Sequence, residues 1–155
     1  MFDTISGLPL HVLVVHAVVV LLPLMSIVTA AVALRPAWRQ LAPAVAVLDG
    51  LVVIVALVAK ESGKRLQTRL QQFDPNVAHD HSTQGRLVPY VALGVFVAAL
   101  VVWATSRWSR LVPVAVLVSL LAGAGGIGWT YLTGESGARA VWGGTIANTK
   151  PPTTR

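Results

Sequence analysis

Four histidines and one carboxylate stand where chemistry is hard to avoid. His11 and His16 lie in "GLPLHVLVVHAVVVLLPL", residues 7–24, in which everything else is apolar, glycine or proline. An imidazole there can ligate a metal ion or haem iron, or move a proton. His11, near the start of the run, can act this way or be satisfied by water and headgroups. His16 is about seven residues past Pro9, roughly 10 Å deeper at 1.5 Å per residue. An ionisable group at that depth faces a bundle interior and a partner, as a ligand or as a structural interhelical hydrogen bond. The two rings are separated by about 140° around a helix, too far to clamp one ion together as an i, i+4 pair would. They can serve one extended site at different depths, with one supporting the other. His79 and His81 form a His-x-His pair in "AHDHSTQG". It can bind metal or simply be solvated, and no third ligand is fixed beside it. Asp49 interrupts another apolar run. It is either a proton-relay or ion site, or a neutral acid bonded to a neighbouring helix.

The elements that must position these groups are membrane spans. The chain has 155 residues, 55% hydrophobic and only 12% charged, too apolar for an ordinary soluble domain. A hydrocarbon core of roughly 30 Å needs about 20 helical residues. Four runs meet that length, at about 9–34, 41–59, 87–105 and 112–133. Pro9 suits a first helical turn, and Pro23 should bend the first span. "RPAWRQ" and "SRWSR" are short interfacial loops marked by Trp38 and Trp108. Between spans two and three, "KESGKRLQTRLQQF" repeats Leu66, Leu70 and Phe73 among charges, as an amphipathic helix on the membrane surface does, and "DPN" ends it. The expected fold is all-α: an integral membrane antiparallel four-helix bundle with that interfacial helix inserted. Residues 1–144 form one transmembrane domain, and 145–155 a disordered polar tail. No internal repeat stands out. "GAGGIG" in span four is either a helix-packing surface or a notch for a flat cofactor.

Composition removes several function classes. Without cysteine there are no disulfides, thiolate sites or cysteine-ligated clusters. The net charge of +6 comes from residues set between apolar runs, where they anchor loops at headgroups; no nucleic-acid motif accompanies them. There is no phosphate loop and no hydrolase constellation. The termini and long loop hold eight of the twelve Lys and Arg residues, which places the termini in the cytoplasm of a plasma-membrane protein. The first span alone, with Arg35 and Arg39 just after it, argues the reverse.

Up-down connectivity brings the histidines together. The start of span one, the loop before span three and the end of span four share one membrane face. That face holds all four histidines, Glu61 and Glu135, with Thr130, Tyr131 and Thr133 closing span four. Any of those four groups at the end of span four can give a buried imidazole its second hydrogen bond.

"GLPLHVLVVHAVVVLLPL", "HSTQGRL" and "TYLTGESGARAVWG" together resemble the membrane family catalogued as domain of unknown function 2231. The resemblance covers most of the chain, roughly residues 7–144. His11, His16, His81 with Gly85, Thr133, Gly134, Gly137, Trp142 and Gly143 match its pattern. Glu135 departs from it, standing where the family usually has its last histidine. The resemblance implies four spans. Fusion of some members to Rieske-type iron–sulfur domains further implies redox work at the membrane. The expected function is therefore a membrane redox or electron-transfer component holding haem b, or a metal, through His16, His81 and His11, with a membrane or iron–sulfur redox partner. The alternatives are a non-catalytic subunit whose polar cluster fixes packing or docks a partner, and a proton or ion pathway through Asp49.

Overall fold

The structure, a computed structural model, describes residues 4–5, 7–73 and 78–149. A two-residue antiparallel pair, Thr4–Ile5 with Leu8–Pro9, turns through Gly7 and leads into the first helix. Five helices follow: α1 (Leu10–Leu34), α2 (Ala42–Leu70), α3 (His79–Gly85), α4 (Val88–Thr105) and α5 (Val112–Ala147). Four apolar helical stretches have the length to cross a membrane, as the hydropathy pattern predicts. Prolines stand in the first turns of α2, α4 and α5, where a missing N–H costs nothing. α1 continues through Pro23 to Leu34.

The four long helices pack in a ring, α1 on α2, α2 on α4, α4 on α5 and α5 back on α1. Their interior is built from small residues: Ala33, Ala46, Ala56, Ala92, Ala98 and Ala115 are buried. Large apolar side chains point outward instead, with Val20, Ile27, Val47, Ile54 and Leu121 more than half exposed. Lipid tails are as apolar as leucine, so the hydrophobic effect does not drive helices together in a bilayer. Close backbone packing does, and it favours small residues at the contacts.

Two spans run longer than expected. The charged stretch after Ala59 is helical, and it continues α2 without a break to Leu70. Glu61 and Lys64, at i and i+3, pair at 2.8 Å along it. The segment "DPN" expected to end it lies outside the described residues. α5 extends fourteen residues past Thr133 to Ala147, into the segment expected to be a tail; residues 150–155 lie outside the described residues.

An internal repeat organises the fold, against the expectation of none. His81 follows His11 by 70 positions; Trp108 follows Trp38, Leu111 follows Leu41 and Pro113 follows Pro43 by the same 70. Glu61-Ser62-Gly63 and Arg65 recur as Glu135-Ser136-Gly137 and Arg139, offset by 74. The four extra residues amount to about one helical turn. A 3-10 turn links α1 to α2 and another links α4 to α5. Each half therefore contributes one antiparallel pair of spans, both pairs in the same orientation, as a pseudo-two-fold axis along the bundle would relate them.

Candidate functional site

The histidine-bearing ends of α1 and α3 meet at this axis. His11 Nδ1–H donates to the Ala59 carbonyl of α2 at 3.0 Å. His81 Nδ1–H donates to the Thr133 carbonyl of α5 at 3.0 Å. One turn beyond each acceptor stands a glycine. A Cβ on Gly63 would lie 3.0 Å from the His11 ring, and a Cβ on Gly137 3.0 Å from the His81 ring. Two serines complete the match. Ser62 Oγ donates to the Ala59 carbonyl at 3.0 Å, and Ser136 Oγ to the Thr133 carbonyl at 2.9 Å. The Glu-Ser-Gly motif is thus a seat for an imidazole, present once per repeat.

The two seats face each other. The His11 and His81 rings are 6.2 Å apart between centroids, edge to face at 67°. A hydrogen bond from Nδ1 to a backbone carbonyl fixes the tautomer and leaves Nε2 with its lone pair free, the form in which imidazole ligates metal. α3 is held beside α5 by a further bond, from the Trp129 indole N–H to the Gln84 carbonyl at 3.1 Å. Two buried polar atoms near His81 have no hydrogen-bond partner among the described residues: Thr133 Oγ1 and Gln84 Oε1.

His16 is not brought to this pair. It is exposed on the outer face of α1, and its Nδ1–H donates to the Val12 carbonyl of its own helix. The 140° offset from His11 decides this: once His11 faces inward, His16 faces lipid. His79 and His81 lie on a helix, not in a loop. Positions i and i+2 are about 200° apart there, so the two rings diverge and do not chelate. His79 is exposed, in a cleft of about 540 Å³ between α3 and α5 that Asp80, Gln84, Glu135 and Arg139 also line. Glu135 pairs with Arg139 at 2.6 Å, and Tyr131 is exposed. Among the described residues no group of three or more His, Cys, Asp or Glu side chains is placed to hold a metal ion.

The other buried polar group is separate from the pair. Asp49 is 2% exposed and accepts a hydrogen bond from Thr29 Oγ1 at 2.8 Å, across the α1–α2 contact. The glycines of "GAGGIG" serve packing: a Cβ on Gly123 would lie 3.2 Å from the Ser26 carbonyl oxygen, and a Cβ on Gly126 would collide with Ser26 Oγ. No cofactor notch remains at those two positions, because α1 fills it. In the other half Phe96 lies over Gly50, where a Cβ would sit 3.5 Å from its ring.

Residue types alone missed the partners that matter. Ala59 and Thr133 act through backbone carbonyls, which no residue type advertises. Thr29 reads as one more small residue in an apolar run. The recurrence of Glu-Ser-Gly was the available signal for both histidine seats.

The fold is that of a four-span helical membrane protein in which the His11 and His81 rings lie side by side. The chain belongs to the family of predicted membrane proteins described as domain of unknown function 2231 (DUF2231), whose model matches residues 7–150. No curated protein and no solved structure matches it.

Proposed function

We propose that this protein is a membrane redox component that holds haem b, or a metal ion, through His11 and His81. The observation that supports this reading is the pair itself: two imidazoles 6.2 Å apart, each with Nδ1 tied to a carbonyl and, among the described residues, no hydrogen bond at Nε2. His11 and His81 would hold the group, each offering one imidazole nitrogen. Bound haem supplies one-electron transfer. The carbonyls of Ala59 and Thr133 orient the imidazoles, and the glycines let the rings lie close to the helix backbones. The redox partner would be another membrane protein or an iron–sulfur protein. The centre lies on the face that carries most of the basic residues, which the charge count assigns to the cytoplasmic side of the plasma membrane.

A second reading has its own support. Each histidine joins the two spans of its repeat, so the pair can serve as two helix latches in a non-catalytic subunit. Absorbance of protein purified from haem-replete membranes separates the two. A Soret band with split visible bands on reduction, or a stoichiometric metal, supports the first; neither leaves the latches.

A further inference from the structure

The end of the bundle opposite the histidines is formed by the two 3-10 links, Pro36–Leu41 and Ser109–Leu111, and the residues beside them. Four arginines stand there: Arg35, Arg39, Arg107 and Arg110. A single interfacial arginine calls for no special partner, since it snorkels to whatever headgroups are near. These four are different, because nothing in the chain balances them. No Asp or Glu occurs in residues 4–48 or 81–134, so neither link carries a carboxylate, and neither do the helix ends that meet it. At the histidine end basic residues do find carboxylates: Lys64 pairs with Glu61 at 2.8 Å and Arg139 with Glu135 at 2.6 Å.

Two of the four are already positioned. Arg39 is half-buried, and its Nη2–H donates to the Ala33 carbonyl at 3.0 Å, near the C-terminal end of α1. The Arg35 guanidinium lies over the Trp38 ring, 4.4 Å from its centroid. A guanidinium has several N–H donors and no acceptor, so each keeps donors for an anion after making its contact. Arg107 and Arg110 stand on either side of Trp108 in the chain. Both are exposed, and their side chains make no hydrogen bond or ion pair among the described residues. Trp38 and Trp108 are equivalent in the two repeats, 70 positions apart. The counter-charge for this end must therefore come from outside the chain. At headgroup depth beside exposed tryptophans, the anions on hand are lipid phosphates. A zwitterionic lipid brings its own cation next to its phosphate, and four guanidiniums repel it. A lipid of net negative charge brings none.

We propose that this end of the bundle is a binding site for anionic phospholipid in preference to zwitterionic lipid, with phosphate held by Arg35 and Arg39 at the first link and by Arg107 and Arg110 at the second. The first link is the stronger, because its guanidiniums are already held and lose less freedom on binding. The inference does not depend on the histidine pair or on a cofactor.

The test titrates the whole chain in neutral detergent with phosphatidylglycerol and, separately, phosphatidylcholine, and counts bound lipid by native mass spectrometry. A basic residue near an anionic surface favours association about fivefold, so wild type should bind phosphatidylglycerol about tenfold more tightly or better. Arg35→Gln with Arg39→Gln, and Arg107→Gln with Arg110→Gln, should each weaken phosphatidylglycerol binding by about fivefold or more, the first pair by more than the second. The second pair has no contacts within the protein to lose, so its result stands even if the first pair disturbs folding. Lys64→Gln with Arg139→Gln removes the same charge from the histidine end and should leave the affinity unchanged. Millimolar inorganic phosphate should not displace the lipid. Equal affinity for the two lipids would overturn the proposal, as would unchanged affinity in both link variants or an equal loss in the histidine-end variant. Displacement by inorganic phosphate would overturn it too, by making free phosphate the occupant.

Discussion

Gly63 stands to His11 as Gly137 stands to His81: in each case a Cβ would come within 3.0 Å of the ring, one turn past the carbonyl that the ring's N–H reaches. A contact that short is tighter than most Cβ contacts, so the ring must give by a few tenths of an ångström. Gly63→Ala and Gly137→Ala should therefore each destabilise the bundle by about 1–3 kcal/mol, the usual cost of overpacking. The measurement is unfolding in detergent mixtures. By pseudosymmetry the two substitutions should act alike, and Gly134→Ala, where a Cβ meets nothing within 4 Å, should be silent or mildly stabilising.

The glycines of α5 should show a coupled response. Gly126→Ala drives its new methyl into Ser26 Oγ and against Val95, whose side chain would be 3.3 Å away. Ser26→Ala removes the first of these obstacles. A double-mutant cycle should give a favourable coupling of about 0.5–3 kcal/mol between the two substitutions. Additive effects would show that α1 and α5 do not meet at this point.

Much of this fold was legible in the residues. Apolar runs of sufficient length marked all four spans, and the up-down order alone put His11 and His81 at one end. His16 is exposed and apart from the His11–His81 pair, for a reason already in the numbers: depth says nothing about which way a side chain points, whereas a 140° offset from His11 does. The duplication is faint in the residues because Ala- and Val-rich helices look alike at any offset, and because the offset changes by one turn between the loop motif and the Glu-Ser-Gly motif. The seats themselves could not be read directly, since backbone carbonyls carry no residue label.

Asp49 and Thr29 supply a conservative test of burial. Asp49→Asn keeps an oxygen able to accept from Thr29 Oγ1, so stability should change by no more than about 1 kcal/mol. Asp49→Leu removes the acceptor and adds bulk among small residues, and should cost about 1–3 kcal/mol. An ionised carboxylate in this apolar interior would be far costlier than the neutral acid. If Asp49→Asn and Asp49→Leu instead both stabilise the protein strongly, Asp49 is held as an unpaired charge.

Topology provides an independent check on the convergence of the two repeats. Accessibility tags after Gly7, within 72–78 and after residue 149 should report one compartment. A tag within 36–40 should report the other. Different compartments for the tags after Gly7 and within 72–78 would separate His11 from His81 across the bilayer.

The paired-histidine centre is tested most directly by counting haem and metal bound per protein in four single variants purified from haem-replete membranes. His11→Ala and His81→Ala should each abolish binding, and to the same extent, because the repeats place them equivalently. His16→Ala and His79→Ala should retain it in full, because both rings are exposed away from the pair. Full occupancy in His11→Ala or His81→Ala, or loss in His16→Ala, would contradict the assignment.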